Sequence, residues 1–260
     1  KTLIQAKIID AQQKKAALEE EEKNLRAEQA KTQNYLETQA RKNQEVREKI
    51  RAIESKITIL AEMERERQGY NQGVKSLLQA TKEPFHREIQ GVVADLIKVE
   101  KGYELALEVA LGRALQFLVV NTEAAARNAI DYLKRYSLGR VTFLPLDLVD
   151  PGADRLEAFT GLLRQHNCQP ATAVIRHDPA YQTVFKHLLG TVIIAPEMKT
   201  AVQIAEKTGK RFRIVTLEGE VIAPGGAITG GKFRQQPAGL LTRKRELAEL
   251  AAEKKDLLAF

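Results

Sequence analysis

The chain has 260 residues, enough for one or two domains with a real core, so neither a disulfide nor a metal is needed for folding. Hydrophobic residues make up 43% and charged residues 29%, above the roughly 25% charged of an ordinary domain, while aromatics are only 5% with no Trp; that mixture points to a globular part joined to long solvated helices. The single cysteine, Cys168, rules out a disulfide framework within the chain and argues against a cysteine-based zinc site, and the formal charge of +7 is compatible with nucleic acid without demanding it.

No apolar run reaches the length of a transmembrane helix, and the first residues, Lys1-Thr2-Leu3-Ile4-Gln5, have neither a signal peptide's apolar region nor an initiating Met. The expectation is a cytoplasmic, soluble piece of a longer chain, with no membrane partner. Basic and acidic residues number 17 and 13 over 1–82, 19 and 17 over 83–239, and 5 and 4 over 240–260. No segment carries the excess alone, so any DNA-binding face has to be a local patch.

Residues 1–68 contain no Gly or Pro and are rich in Ala, Glu, Lys, Gln and Arg, which predicts one long helix. Alternating steps of four and three from Ile4 reach Leu60 through 17 positions, 11 of them apolar, among them Leu18, Leu25, Leu36, Val46, Ile50, Ile53 and Ile57. This is a coiled-coil seam, weakest between Lys15 and Asn43, and it requires a partner helix. Gly69 and Gly73 then interrupt the helix, which reads as a joint where the arms could change angle.

From here the period changes. Residues 91–99 read as a strand, 103–115 as a helix and 117–120 as a short buried strand. Asn121 or Thr122 can cap a helix whose Ala125, Ala129, Ile130 and Leu133 face inward, and a strand follows over 141–144. Pro145, Pro151, Gly152, Gly161 and Pro170 mark an irregular connector. A second unit repeats the alternation, with strands over 173–176 and 192–195, helices over 180–189 and 197–208, and a hairpin of 212–217 with 221–223 around Glu218-Gly219-Glu220. The tail returns to helix, with Leu240, Leu247, Leu250, Lys254 and Leu257 in heptad-like spacing. The expected divisions are an arm (1–82), a first lobe (83–149), a connector (150–170), a second lobe (171–239) and a returning arm (240–260). The fold class is α+β, a two-lobed mixed domain inserted between antiparallel coiled-coil helices.

Gly226-Ala-Ile-Thr-Gly-Gly-Lys232 fits the first seven positions of a phosphate-binding loop, but Phe233 stands where Ser or Thr should hold Mg²⁺, and no amphipathic helix follows directly. A nucleotide-binding enzyme on this loop is therefore the minor reading. The glycines at 225, 226, 230 and 231 equally suit a strand edge approached by another subunit or a bend packed against its own lobe. His86, His166, His177 and His187 are scattered and read as ordinary surface or core imidazoles, and Cys168 has no obvious His partner. From Gly225 to Arg245 there is no acidic residue, while Lys232, Arg234, Arg243, Lys244 and Arg245 fall there, a candidate phosphate-contacting patch. Cations at a helix start oppose the macrodipole, which favours a functional reason for them. Lys207, Lys210, Arg211 and Arg213 form a weaker cluster.

In its order of parts the sequence resembles the hinge region of bacterial structural maintenance of chromosomes (SMC) proteins, over about residues 69–250. Gly91-Val-Val-Ala-Asp-Leu-Ile, Tyr103 to Gly112, Thr142-Phe-Leu-Pro-Leu146 and Pro-Gly-Gly-Ala-Ile-Thr-Gly-Gly at 224–231 carry the likeness. The resemblance implies a homodimer, with Gly225, Gly226, Gly230 and Gly231, and Ala227, Ile228 and Thr229 between them, at the dimer interface. It also implies DNA binding near the hinge and coil junction, placed by charge on Lys232, Arg234, Arg243, Lys244 and Arg245. Chromosome condensation and segregation, with ATP and Mg at head domains and kleisin and accessory subunits near those heads, would belong to a nucleoid-associated parent protein. The chain itself is expected to have no enzymatic activity and no cofactor. A purely structural coiled-coil scaffold without DNA contact is the alternative.

Overall fold

In the computed structural model the described residues are 2–153, 155–231 and 239–258, with side chains described at 14, 15 and from 18 onward within those ranges. They divide into two compact units, residues 1–59 with 250–260, and residues 60–249. Helix α1 (Thr2–Arg65) runs unbroken, as its composition predicts, and helix α9 (Leu240–Leu258) contributes to both units.

In the first unit, Gln39, Val46, Ile50, Ile53 and Ile57 lose exposure in the four-three rhythm of the seam, and Leu250, Lys254 and Leu257 of α9 do so in step. Lys254 Nζ lies 2.9 Å from Glu54 Oε1. Leu18, Leu25 and Leu36, on the same seam, are exposed.

The second unit holds the α/β domain. Its first sheet has the order β1-β3-β4, with β1 (Ile89–Val92) antiparallel to β3 (Leu118–Val120) and β3 parallel to β4 (Phe143–Pro145). Helices α2 (Gln72–Gln79) and α5 (Glu123–Arg135) cover it, burying Val74, Leu77, Ala129 and Leu133 with Phe85 and Leu118. Thr122 caps α5 as expected, accepting from Ala125 N at 3.2 Å, but Ile130 is 38% exposed and Ala126 takes the inward place.

The second sheet has the order β10-β9-β8-β7-β5. Strands β7 (Val192–Ala195) and β8 (Arg213–Thr216) are parallel, while β5 (Gln169–Pro170), β9 (Val221–Ile222) and β10 (Ile228–Thr229) pair antiparallel. Helices α6 (Thr160–Gln165), α7 (Gln182–Leu189) and α8 (Met198–Lys207) complete this part. Residues 150–170 are thus more than a connector, since α6 and β5 lie within them; Leu163 and Cys168 are buried with Ile193 and Ile214, which fixes that segment to the sheet.

Two features depart from a simple two-lobed reading. The stretch 91–99 is not one strand. A single turn, α3 (Val93–Leu96), separates β1 from β2 (Ile97–Val99), because Val93 and Ala94 are wholly buried and Val93 N donates to Phe117 O at 2.9 Å. Strand β2 then pairs antiparallel with β6 (Ile175–His177), tying the first half of the sequence to the second. Helix α4 (Glu104–Leu111) crosses as well: Leu105 and Val109 crowd Gly219 of the β8-β9 turn, and Arg213 donates to Val109 O at 3.1 Å. One core accordingly contains Leu107 and Ala110 together with Phe185 and Val215.

An open sheet edge and a charged junction

Strand β10 follows a tight turn. Gly226 N donates to Ala223 O at 2.9 Å across Pro224-Gly225, with Gly225 at φ +89°, which is the pattern of a type II turn with Pro first and Gly second. Ile228 and Thr229 then pair with Ile222 and Val221. Gly225–Gly231 therefore form a turn and an edge strand. Ile228 and Thr229, which a phosphate-binding loop would leave free to wrap around its ligand, are extended and paired instead, which weighs against the nucleotide-loop reading; Lys232 lies outside the described residues. Among the described residues a side chain at Gly225 or Gly231 would meet nothing within 4 Å, and Ile228 is 61% exposed. Among the described residues no strand covers the outer edge of β10 or of β4, and Leu148, just beyond β4, is 66% exposed.

The start of α9 is a different kind of place. Arg243 is only 2% exposed; its guanidinium donates to Glu64 Oε1 at 2.8 Å and to Gln68 O at 3.1 Å. Lys244 pairs with Asp95 and donates to Ala94 O at 3.2 Å. Arg245 meets Glu104 at 2.5 Å and Glu249 at 2.7 Å. These contacts correct the assignment for Arg243, which has no surface to offer a phosphate; Lys244 and Arg245 keep part of their surface but are already paired with carboxylates. Lys232 and Arg234, the other two residues of that patch, lie outside the described residues.

The unfavourable macrodipole of cations at a helix start is answered by Glu108 of α4. Its Oε1 accepts from Leu241 N at 3.0 Å, Thr242 N at 3.1 Å and Thr242 Oγ1 at 3.4 Å. The first turn of α9 has no acidic residue of its own, so a carboxylate from another helix satisfies its free N–H groups. Gly239 is needed for this, since a Cβ there would collide with the Glu108 carboxylate. Leu240 sits beside Gly69 while Arg243 reaches Glu64, so α9 runs antiparallel to the end of α1.

The link after α1 is pinned rather than free. Gln116 donates to Gly69 O at 3.0 Å and accepts from Asn71 N at 2.7 Å, bridging the turn. Tyr70 is buried and donates to Asp95 at 2.9 Å; burial, then Asp95, push its phenol well above the usual tyrosine range. Gly73 lies inside α2, where a Cβ would press on Val141 and Leu138 O, so close packing is what requires it and not a bend.

Sequence reasoning missed Asp95, Glu104, Glu108 and Glu64, which come from remote segments. The one local signal was an α9 start with cations, a preceding glycine and no acid. In the cluster at 207–213, Arg211 lies over the Phe159 ring and bonds Thr208 O, Lys207 contacts His166 at 2.9 Å, and Arg213 reaches across to Val109 O. Among the described residues no group of three or more His, Cys, Asp or Glu side chains is placed to hold a metal, and no helix is long and apolar enough to cross a membrane. Burial pushes the Cys168 thiol up to about 11, so it stays protonated at neutral pH. The folded chain should resist thiol reagents that label the unfolded chain at once; rapid native labelling would contradict its buried placement.

The family model for SMC proteins' flexible hinge domain matches residues 86–205. The chromosome partition protein Smc of Bacillus subtilis is 42% identical over 202 residues, 77% of this chain and 17% of that protein. Among solved structures, the SMC hinge domain of Geobacillus stearothermophilus, crystallised as an asymmetric dimer, aligns with TM-score 0.72 at 38% identity, covering 82% of this chain and 85% of that one. The hinge domain of the Pyrococcus furiosus SMC protein aligns with TM-score 0.53 at 35% identity, covering 71% and 92%. The chain thus spans about a sixth of the length of the full protein it matches.

Proposed function

Because the chain belongs to the SMC hinge family, we propose that it joins two copies of a longer chromosome-partitioning protein through the open edge of β10. The observation that carries this is the exposed Ile228-Thr229 edge, with Gly225 and Gly231 on either side of it uncrowded by the described residues. An unpaired edge of this kind invites another strand. The complementary edge is β4 with Leu148. The other side of its sheet, β1, lies beside the chain's own second lobe, where Tyr181 donates to Gln90 at 3.2 Å. Two such contacts, β10 to the partner's β4 and the reverse, close a twofold pair. Sedimentation of the chain at tens of micromolar tests this: a dimer is expected, and a monomer overturns it.

A second reading, DNA contact, is favoured by residues 134–140, Lys-Arg-Tyr-Ser-Leu-Gly-Arg, rather than by residues 243–245. Arg135 and Arg140 are exposed without a carboxylate partner among the described residues, and Tyr136 is 53% exposed between them. Cations flanking an exposed ring suit a phosphate backbone with an unstacked base. Replacing Arg135, Tyr136 and Arg140 by Ala should weaken binding to a short oligonucleotide and lower the log–log salt slope by about 1 to 2. Unchanged binding returns the chain to a scaffold role.

In the parent protein the same reading places ATP, Mg, kleisin and accessory subunits at distant head domains, in a cytoplasmic, nucleoid-associated machine. The contribution of this chain is connection without catalysis.

A further inference from the structure

Two separate sets of contacts hold the start of α9. One set belongs to the end of α1: Arg243 on Glu64 and Gln68 O, with Leu240 beside Gly69. The other belongs to the α/β lobes: Glu108 and Glu104 of α4, and Asp95 with Ala94 O of α3. Their settings differ. Arg243 is buried, whereas Lys244 and Asp95 keep about a third of their side-chain surface in water; among the carboxylates of the second set only Glu104, the partner of Arg245, is buried.

We propose that these sets release separately: the clasp made by Asp95 on Lys244 and by Glu108 on the helix start is a salt-sensitive latch that opens first, leaving the start of α9 paired with α1. The physical reason is screening. At about 0.1 M salt the Debye length is about 10 Å, and ion pairs open to water weaken steeply as salt rises while a buried pair is screened much less. The helix cap follows the outer set because it depends on one carboxylate. With no acid in the first turn of α9, loss of Glu108 leaves the Leu241 and Thr242 N–H groups with no protein acceptor. Gly239 offers a second way in, since any side chain there displaces the same carboxylate. The latch is a property of one chain and does not depend on how copies associate.

Hydrogen–deuterium exchange on the whole chain tests it, comparing about 0.05 M with about 0.5 M NaCl. In high salt the peptide covering 239–245 should exchange about tenfold faster, a typical consequence of losing a cap, while 60–68 and 246–256 hold their protection. Glu108→Gln and Gly239→Ala should each produce that pattern in low salt, and Glu64→Gln should instead loosen 60–68. The proposal is overturned if salt leaves 239–245 unchanged, or if 60–68 and 239–245 accelerate together. Should one variant unfold the lobe, the salt series on the native chain still decides.

Discussion

Ile228→Asp should convert the chain from a dimer to a folded monomer at tens of micromolar, with the thermal midpoint falling only by the part that association contributes and no longer depending on concentration. The side chain is already 61% exposed, so in the single chain an aspartate there costs little. In the proposed pair the same carboxylate is enclosed against the partner's β4, with no cation of β10 or β4 to meet it. Burying an unpaired charge in this way weakens association by about 3 kcal/mol or more, at least about a hundredfold in Kd. Leu148→Asp should do the same from the other side of the contact, and mixing the two variants should restore the pair in part, since a mixed pair gathers both carboxylates in one contact and leaves the other wild type. A dimer that survives Ile228→Asp at unchanged affinity would place the contact elsewhere.

Arg243→Ala should be among the most destabilising single changes in the chain, at about 2 to 4 kcal/mol by denaturant unfolding. The substitution removes the partner of Glu64 and the donor to Gln68 O, and leaves a gap at a heptad position between α1 and α9. Arg243→Met with Glu64→Met should recover most of the loss, because an apolar pair of similar volume does without both desolvation and pairing. A cost below about 0.5 kcal/mol for Arg243→Ala would mean that the buried guanidinium contributes nothing net. The same variant should leave oligonucleotide binding unchanged, which separates this architectural role from the phosphate-contacting role that charge alone suggests.

Much of the fold was legible because its signals are local. The Gly-free, Pro-free stretch specified α1, and the apolar run at 192–195 specified β7 residue for residue. The seam was readable from Val46 to Leu60, where its residues lose exposure, while Leu18, Leu25 and Leu36 stay exposed; Arg243 was not seen as part of it, because a cation at a seam position reads as polar until its carboxylate is known. Residues 91–99 look like one strand since Val92, Val93, Ile97 and Val99 are all β-formers; the turn at 93–96 is imposed by burial of Val93 and Ala94, a tertiary cause. The junction was illegible for the same reason. Glu108 and Leu241 are 133 positions apart, and no spacing rule connects them.

The crossing of α4 onto the second sheet bears on how the molecule is made. Val109 emerges from the ribosome 104 residues before Arg213, whose strand it rests against. At typical rates of synthesis this is a wait of roughly 5 to 20 s. During that interval Leu107 and Ala110 have Val119 and Leu144 of the first sheet beside them but not Phe185 or Val215, so the interior is completed only when the second half arrives. Each half, lifted out and grafted alone, is therefore expected to expose part of that shared interior.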